Sequence, residues 1–273
     1  MWASLHNVRL LLVATTIDRD DVGEAWVAYQ WAAHLSRRHD VTVLTYRKRG
    51  SPAIAPQLPD ARVVEWLEPP IVGRFERFNA LFKPGYFGFL WRARRWISKA
   101  AARGEFFDLA HQVVPVAMRY PSPLVAGPFK YILGPVGGGL NSPAAFSAEE
   151  TDPWYQRLRQ LDQWRLRHDP WLRATYERAA CVLGIADYVA TALSDLDIKR
   201  LEILSETALT SVPQVSQRDQ VAATPQRPLR LLFVGRVIRS KGARDLVAAM
   251  ARLSGEDVVA DVVGDGFDLP AWS

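Results

Sequence analysis

Two cations and a set of glycines near the end of the sequence have residue types and spacing that suit a diphosphate site. Arg236 and Lys241 stand five positions apart, and Arg236 follows a short apolar run. Guanidinium and ammonium groups bind phosphate oxygens, and glycine lets a backbone come close to such a ligand. The predicted site combines these two cations with the turn residues Gly235, Gly242, Gly264, Asp265 and Gly266.

The segments around these residues predict a βαβ unit that would position them. An apolar run over 231–234 predicts one buried strand, and Val258–Val263 predicts a second. Between them, Ser240 is a candidate N-cap for a helix with apolar residues at helical spacing. Open α/β sheets bind ligands at the carboxyl ends of their strands, so both cations would stand where a ligand binds.

The composition is that of an ordinary folded protein with a basic charge balance. The 273 residues are 49% hydrophobic and 23% charged, and the net charge of +5 suits an anionic partner. The single cysteine, Cys181, excludes an internal disulfide and a multi-cysteine zinc site. The apolar run at 10–14 is too short to span a bilayer, and no signal peptide is evident, so we expect a cytoplasmic protein.

The first 210 residues alternate strand and helix patterns, which predicts a mostly parallel sheet with helices on both faces. Strands are predicted at 8–14, 41–44, 62–67, 108–112, 131–133 and 181–185. Helices are predicted at 25–38, with Val27, Trp31 and Leu35 on one apolar face, at 154–167, and after the N-cap Asp169. The first turn lacks Gly-x-Gly-x-x-Gly, which argues against an NAD-type enzyme.

A proline-rich, polar segment over 212–228 predicts a linker between two domains, 1–211 and 229–273. The first domain carries, in order, Asp-Val-Gly-Glu-Ala-Trp from Asp21, Phe-Asp-Leu-Ala-His from Phe107, Gly-Pro-Val-Gly-Gly-Gly from Gly134 and Ala-Thr-Ala-Leu from Ala190. The second carries Gly-Arg-x-x-x-x-Lys-Gly and then Val-Gly-Asp-Gly. Together these motifs resemble the family 4 glycosyltransferases of the GT-B fold.

The resemblance implies an α/β fold of GT-B type, with a complete N-terminal Rossmann-like, acceptor-binding domain and the first βαβ of a C-terminal nucleotide-sugar-binding domain. It implies a retaining hexosyltransferase that uses a nucleotide diphosphate sugar and a glycan or lipid-linked hydroxyl acceptor, in envelope or exopolysaccharide synthesis. Arg236 and Lys241 would hold the diphosphate, where fixed cations stabilise the charge on the leaving phosphate. We expect no metal site and no cofactor besides the nucleotide-sugar co-substrate.

On the acceptor side, the resemblance points to His111 as the catalytic-site residue, at the end of a predicted strand. Gly23, Glu24, Gly137 and Gly138 would line the acceptor site. Each has a plainer interpretation. His111 could be a half-buried structural histidine, Glu24 a first-turn glutamate favoured by the helix dipole, and the glycines an ordinary turn.

In the family, the donor domain continues to a motif of two glutamates eight positions apart, and this sequence ends at Ser273 before such a motif. We therefore expect a C-terminally truncated form or a fragment, with doubtful activity. The alternative is a non-catalytic remnant, a membrane- or acceptor-binding module that lacks the donor half.

The segment 71–104 is basic and aromatic, with eight lysines and arginines and one acid, Glu76. Such a segment predicts peripheral contact with an anionic membrane, at the inner face of the cell membrane for a cytoplasmic protein. The alternative is a helix facing the core through Phe89, Trp96 and Ile97 with its arginines solvated. No nucleic-acid-binding pattern accompanies the segment, so a nucleic-acid partner is not expected.

Overall fold

The computed structural model describes residues 7–70, 84–139, 153–206, 228–238 and 241–266. The chain divides into two compact units, Met1–Thr210 and Ser211–Ser273. Nearly all of the predicted linker, and the first part of the basic aromatic segment, lie outside the described residues.

The first unit is built on a seven-stranded parallel sheet in the order β3-β2-β1-β4-β5-β6-β7. Its strands are β1 (Arg9–Thr16), β2 (Asp40–Arg47), β3 (Ala61–Leu67), β4 (Leu109–Val114), β5 (Tyr131–Val136), β6 (Cys181–Gly184) and β7 (Leu201–Ile203). Its helices are α1 (Glu24–Ser36), α2 (Pro84–Ala102), α3 (Pro153–His168), α4 (Pro170–Glu177) and α5 (Tyr188–Ala192), with short 3-10 helices at Ala55–Gln57 and Pro123–Ala126. The predicted α/β, Rossmann-like architecture is confirmed.

Apolar side chains alternate along the central strands and form a core on each face of the sheet. Leu11 and Val13 of β1 pack in the cluster that includes α2, whereas Leu10 and Leu12 pack in the cluster that includes α1. Both faces of β1 are therefore covered, as is typical of a parallel sheet with helices on both sides.

Helix α1 packs on the sheet through small side chains. Its buried residues are Ala25, Ala28, Ala32 and Ser36, whereas Val27, Trp31 and Leu35 are only partly buried. Of the predicted apolar face, Trp31 and Leu35 pack against the core at its edge, and the Trp31 ring contacts His111 of β4. Alanines allow the helix to lie close to the strands, and the larger apolar residues flank that contact.

Helix α2 has one buried and one exposed face. Phe89 and Ile97 are fully buried and Trp96 packs against the same core, so the predicted inward orientation of these three residues is confirmed. Phe87 and Trp91 point the other way and are exposed. None of the described helices is both long and apolar enough to cross a bilayer.

Several predicted boundaries shift once the strands are paired. Strand β5 continues through Gly134, Pro135 and Val136, which were predicted as loop, because Val136 pairs with Gly184 of β6. The predicted N-cap is confirmed, since the Asp169 carboxylate accepts hydrogen bonds from the N–H groups of Trp171 and Leu172. The sequence patterns missed α5 and β7, both of which are very short.

The second unit holds a parallel pair, β8 (Leu229–Val234) and β9 (Val258–Val263), joined by α6 (Ala243–Arg252). The predicted βαβ unit is therefore present. The helix begins at Ala243 after Gly242, which adopts a left-handed conformation at the N-cap, and not after Ser240 as predicted. Ser240 itself lies outside the described residues.

Candidate functional site

The strand order of the first unit reverses between β1 and β4, so the connections that leave their carboxyl ends run to opposite faces of the sheet and leave a crevice between them. Such switch points are the usual ligand sites of open α/β sheets. The crevice is bordered by the β1–α1 loop, by the residues that follow β4 and, at the next strand, by the glycine loop after β5. The predicted acceptor-side residues Gly23, Gly137 and Gly138 belong to these loops, and Glu24 is the first residue of α1.

The β1–α1 loop is held by its own hydrogen bonds. Asp18 is buried and its carboxylate accepts the N–H of Asp20 at 3.1 Å, while the N–H of Arg19 donates to the Gln57 side chain at 2.9 Å. Asp21 pairs with Lys48. Burial alone would raise the pKa of Asp21, but the Lys48 ammonium and the backbone N–H of Val22 together lower it.

Gly23 and Glu24 mark the start of α1 at this loop. Gly23 has φ +66° and open space where a Cβ would stand, so its backbone conformation, and not crowding, favours glycine there. Glu24 is the first helical residue and is half-buried. Burial raises the pKa of Tyr120 to about 12 against the opposing charge of Arg119, and the charges of Asp162 and Glu24 add to the rise.

His111 lies in the interior of the first unit. It is the third residue of β4, which continues to Val114, so its predicted position at the end of a strand was wrong. Its side chain is 4% exposed, its Nε2 atom lies 2.6 Å from the carbonyl oxygen of Gly134, and the Trp31 ring stands edge-on at 5.2 Å. Burial lowers the pKa of His111 to about 4, against a smaller opposing effect of the Gly134 carbonyl. The imidazole is therefore neutral near pH 7.

The glycine loop after β5 is packed against both of its neighbours. The N–H of Gly137 donates to the Val116 carbonyl at 2.8 Å, and the N–H of Gly138 donates to the Tyr188 hydroxyl at 2.8 Å. A Cβ on Gly137 would lie 2.7 Å from Cγ1 of Ile185. A Cβ at Gly137 would therefore displace the Ile185 side chain, whereas Gly138 is exposed at the carboxyl edge of the sheet.

A cavity of about 280 Å³ opens beside this loop, between Gly139, the residues after β4, α3 and the segment after α5. An ion pair of 3.1 Å joins Arg119 to Asp162 in its wall. Burial raises the pKa of Asp162, against the opposing charges of Arg119 and Arg165. Sequence patterns did not identify this cavity, because its walls come from segments that are far apart in the chain.

In the second unit, two of the predicted glycines are explained by backbone packing. The N–H of Gly235 donates to the Val263 carbonyl at 3.0 Å, and the N–H of Val237 donates to the Asp265 carbonyl at 2.9 Å. A Cβ on Gly264 would stand 2.9 Å from the carbonyl carbon of Gly235 and would overlap its oxygen. Gly266 is similarly close to Val237. These glycines let the two chain segments run side by side beyond β8 and β9.

The cations of the predicted diphosphate site lie at the carboxyl end of the parallel pair. Arg236 directly follows Gly235 at the end of β8, and Lys241 precedes Gly242, the N-cap of α6. Both side chains are exposed, and neither forms an ion pair with any described residue. Asp265 is also exposed, with its carboxylate accepting the N–H of Gly266 at 2.7 Å.

Two Asp-x-Asp triplets in the sequence bear on the expected absence of a metal site: Asp18-Arg19-Asp20 and Asp195-Leu196-Asp197. The Asp18 carboxylate is used by the backbone of its own loop, and Asp195 pairs with Arg167 at 2.9 Å. Within the described ranges, no group of three or more His, Cys, Asp or Glu side chains is arranged to hold a metal ion.

Comparison with solved structures relates the fold to glycosyltransferases. The glycosyltransferase from Rickettsia africae ESF-5 is 12% identical, with a TM-score of 0.52 over 95% of this chain and 61% of that chain. Anabaena Alr3699/HepE in complex with UDP is 13% identical, with a TM-score of 0.47 over 95% of this chain and 61% of that chain. Trehalose-6-phosphate from E. coli bound with UDP-2-fluoro glucose is 10% identical, with a TM-score of 0.48 over 94% and 65%.

No protein-family model matches the sequence, and no curated protein matches it. The chain spans about three fifths of the length of the Rickettsia glycosyltransferase. At 12% identity the likeness shows the fold alone, and that fold is the α/β fold of GT-B glycosyltransferases.

Proposed function

We propose that this protein is a retaining glycosyltransferase that moves a hexose from a nucleotide diphosphate sugar to a hydroxyl acceptor. One observation carries the proposal: Arg236 and Lys241 lie exposed at the carboxyl end of a parallel strand pair, without an ion-pair partner among the described residues. Two such cations at a strand-to-helix turn suit the oxygens of a diphosphate.

The chemistry follows from where charge develops in the reaction. Transfer breaks the bond between the sugar and the diphosphate, forms a bond from the same sugar carbon to the acceptor oxygen, and releases the hydroxyl proton to the departing phosphate. Negative charge develops on that phosphate as its bond to the sugar breaks. Fixed positive groups beside that phosphate stabilise the charge as it forms. In this proposal Arg236 and Lys241 supply the positive charge, while Gly242 and the N-terminus of α6 offer backbone N–H groups nearby.

We place the acceptor at the carboxyl edge of the first unit. Glu24 is half-buried there and can accept a hydrogen bond from a sugar hydroxyl, and the exposed backbone around Gly138 borders the same edge. The neutral, buried imidazole of His111 favours a positioning role over direct contact, since its bond to Gly134 fixes the start of the strand segment that leads into the glycine loop.

The finer assignments of this proposal rest on the sequence motifs. These are membership of family 4, the retaining outcome, the hexose, a glycan or lipid-linked acceptor, a role in envelope or exopolysaccharide synthesis, and a cytoplasmic location without a further cofactor. The fold supports the coarser part of the proposal, a glycosyltransferase that uses a nucleotide sugar.

The test is nucleotide binding by the whole chain, measured by isothermal titration with UDP, GDP, ADP and dTDP and then with the matching sugar nucleotides. We expect one nucleotide to bind. Arg236→Ala and Lys241→Ala should each weaken that binding by about 10- to 150-fold, since a hydrogen bond to a charged group contributes roughly 1.5–3 kcal/mol. Arg252→Ala, at the far end of α6, is the matched control and should leave affinity unchanged.

A loss of twofold or less in both variants would contradict the site assignment. Absence of binding by every nucleotide would contradict the transferase proposal for this chain and would favour the alternative, a non-catalytic acceptor- or membrane-binding module. If a nucleotide binds, turnover is measured separately, as release of nucleoside diphosphate from the matching sugar nucleotide in the presence of a hydroxyl acceptor.

A further inference from the structure

The outward face of α2 and the neighbouring α4 form a surface that the proposed transfer reaction does not use. We call this surface the basic aromatic groove and define it by Phe87, Trp91, Arg94, Arg95, Trp171 and Arg178. Two adjoining depressions, of about 380 and 340 Å³, run along it and share Arg94 and Trp171. The groove is therefore continuous from the middle of α2 to the residue after α4.

Two aromatic side chains of the groove are open to solvent. Trp91 is 61% exposed and Phe87 is 49% exposed, one helical turn apart on the same face of α2. A large apolar ring in water is unfavourable, and burial of a full aromatic side chain contributes a few kcal/mol. The inward residues of the same helix, such as Phe89 and Ile97, are buried in the core, whereas the outward rings are not.

The cations of the groove lie against rings and not against carboxylates. The guanidinium carbon of Arg94 is 5.0 Å from the centre of the Trp171 ring, and that of Arg95 is 5.5 Å from the centre of the Trp91 ring. Arg178 donates to the Val125 carbonyl. Among the residues that the structure describes, no acid lines the groove or pairs with these three arginines.

Several arginines on other surfaces of the first unit are paired with acids. Arg62, Arg167 and Arg200 each pair with a carboxylate within 3.1 Å. The contrast matters because the three arginines of the groove, which have no carboxylate partner among the described residues, lie beside exposed rings on one surface. The surface is therefore complementary to a partner that is both anionic and apolar.

We propose that the basic aromatic groove binds the surface of an anionic lipid bilayer. Tryptophan and phenylalanine rings partition to the headgroup boundary, and arginines keep their guanidinium groups at lipid phosphates while their aliphatic stems lie along apolar surface. Each cation near an anionic lipid surface adds favourable free energy to membrane binding. The groove uses fewer residues of the basic segment 71–104 than the sequence suggested, because half of α2 faces inward. It also includes Trp171 and Arg178, which lie outside that segment.

The test is flotation of the whole chain with vesicles of phosphatidylcholine alone and with an equal mixture of phosphatidylcholine and phosphatidylglycerol. We expect binding only to the mixed vesicles, and weaker binding as salt is raised, because exposed charges are screened beyond about 10 Å at 0.1 M ionic strength. The double variant Arg94→Gln/Arg95→Gln should weaken partitioning into the mixed vesicles by about 30-fold, because the loss of each cation weakens it by roughly fivefold.

Matched controls use the same substitutions elsewhere. Arg37→Gln/Arg38→Gln changes two exposed arginines at the end of α1, which packs on the opposite face of the sheet. Phe87→Ala is compared with Phe106→Ala, since Phe106 is 59% exposed and lies outside the groove. All of these side chains are at the surface, so circular dichroism should show unchanged folding.

An equal loss of binding in the groove variants and in the controls would overturn the proposal, because it would show that binding depends on the net charge of the protein and not on the groove. Absence of binding to the mixed vesicles, or binding of single-stranded DNA through the same residues without vesicle binding, would also overturn it. Nucleotide affinity is measured in the same variants and should not change, which separates failure of this proposal from failure of the proposed transfer reaction.

Discussion

The Nε2 atom of His111 lies 2.6 Å from the carbonyl oxygen of Gly134 and joins the side of β4 to the backbone of β5. A carbonyl oxygen can only accept a hydrogen bond, so the imidazole must carry its proton on Nε2. The neutral imidazole of His111 is therefore the tautomer with its proton on Nε2. The bond fixes the part of β5 from which the glycine loop departs.

We predict that this buried histidine makes the first unit sensitive to acid. The pKa of His111 is lowered from 6.5 to about 4 in the folded state, chiefly by burial. The unfolded chain therefore binds more protons between these values, and stability falls as the pH falls from about 6.5 towards 4. The expected loss by pH 5 is about 2 kcal/mol.

Urea unfolding of the whole chain at pH 7 and pH 5, followed by tryptophan fluorescence, measures this effect. His111→Gln should be less stable than the parent at pH 7 and should show a smaller change between the two pH values. His34→Gln, at an exposed position of α1, is the control and should keep the parent's change. An unchanged pH response in His111→Gln would contradict the prediction.

We predict that Gly137→Ala destabilises the first unit because of crowding. The added methyl group would lie 2.7 Å from Cγ1 of Ile185 and 3.0 Å from the Tyr188 hydroxyl. Overpacking of this kind costs about 1–3 kcal/mol. The measurement is the free energy of unfolding in a double-mutant cycle with Ile185→Ala, in which the second substitution should recover much of the loss. Simple additivity of the two losses would show that crowding is not the cause.

We predict that Gly264→Ala separates the chain segments that extend beyond β8 and β9. Its Cβ would overlap the Gly235 carbonyl, which lies beside Gly264. Hydrogen exchange of the Gly235 and Val237 amides should accelerate, because their partners are the Val263 and Asp265 carbonyls.

Gly255→Ala is the matched control for Gly264→Ala. Gly255 also has a positive φ, of +109°, but a Cβ there would meet no atom within 4 Å. Both variants carry backbone strain, and only Gly264→Ala carries the clash. Equal acceleration of exchange in the two variants would therefore attribute the effect to strain alone.

We predict that Asp169→Ala destabilises the junction between α3 and α4 by about 0.5–2 kcal/mol, the usual contribution of an N-cap. Asp169 accepts from the N–H groups of Trp171 and Leu172 and pairs with Arg165 at 2.9 Å. Burial alone would raise the pKa of Asp169, but Arg165 and these N–H groups together lower it. Its stabilising effect is therefore present at neutral pH and is lost as the pH falls through that lowered pKa.

Asp169→Asn separates the cap from the charge in the same unfolding measurement. The amide oxygen still accepts from the backbone, so this variant should lose less stability than Asp169→Ala at pH 7. Equal losses would show that the ion pair with Arg165, and not the cap, stabilises the junction.

The sequence by itself determined the elements with strong local signals. Apolar runs predicted β1, β2, β3, β8 and β9, the alternation with helices predicted a parallel sheet, and Asp169 before Pro170 predicted a helix start. These features could be predicted because strand and helix periodicity and capping depend on neighbours within a few residues. The order of Arg236, Lys241 and the glycines likewise located a strand-to-helix turn correctly.

Only the tertiary structure decided which faces point inward and which surfaces form. The alanine face of α1 packs on the sheet, and Val136 joins β5 because β6 lies beside it. Gly264 is explained by the backbone of Gly235, and the basic aromatic groove combines Trp91 with Trp171. Each of these outcomes depends on contacts between residues far apart in sequence, and local periodicity carries no information about the distance between such residues.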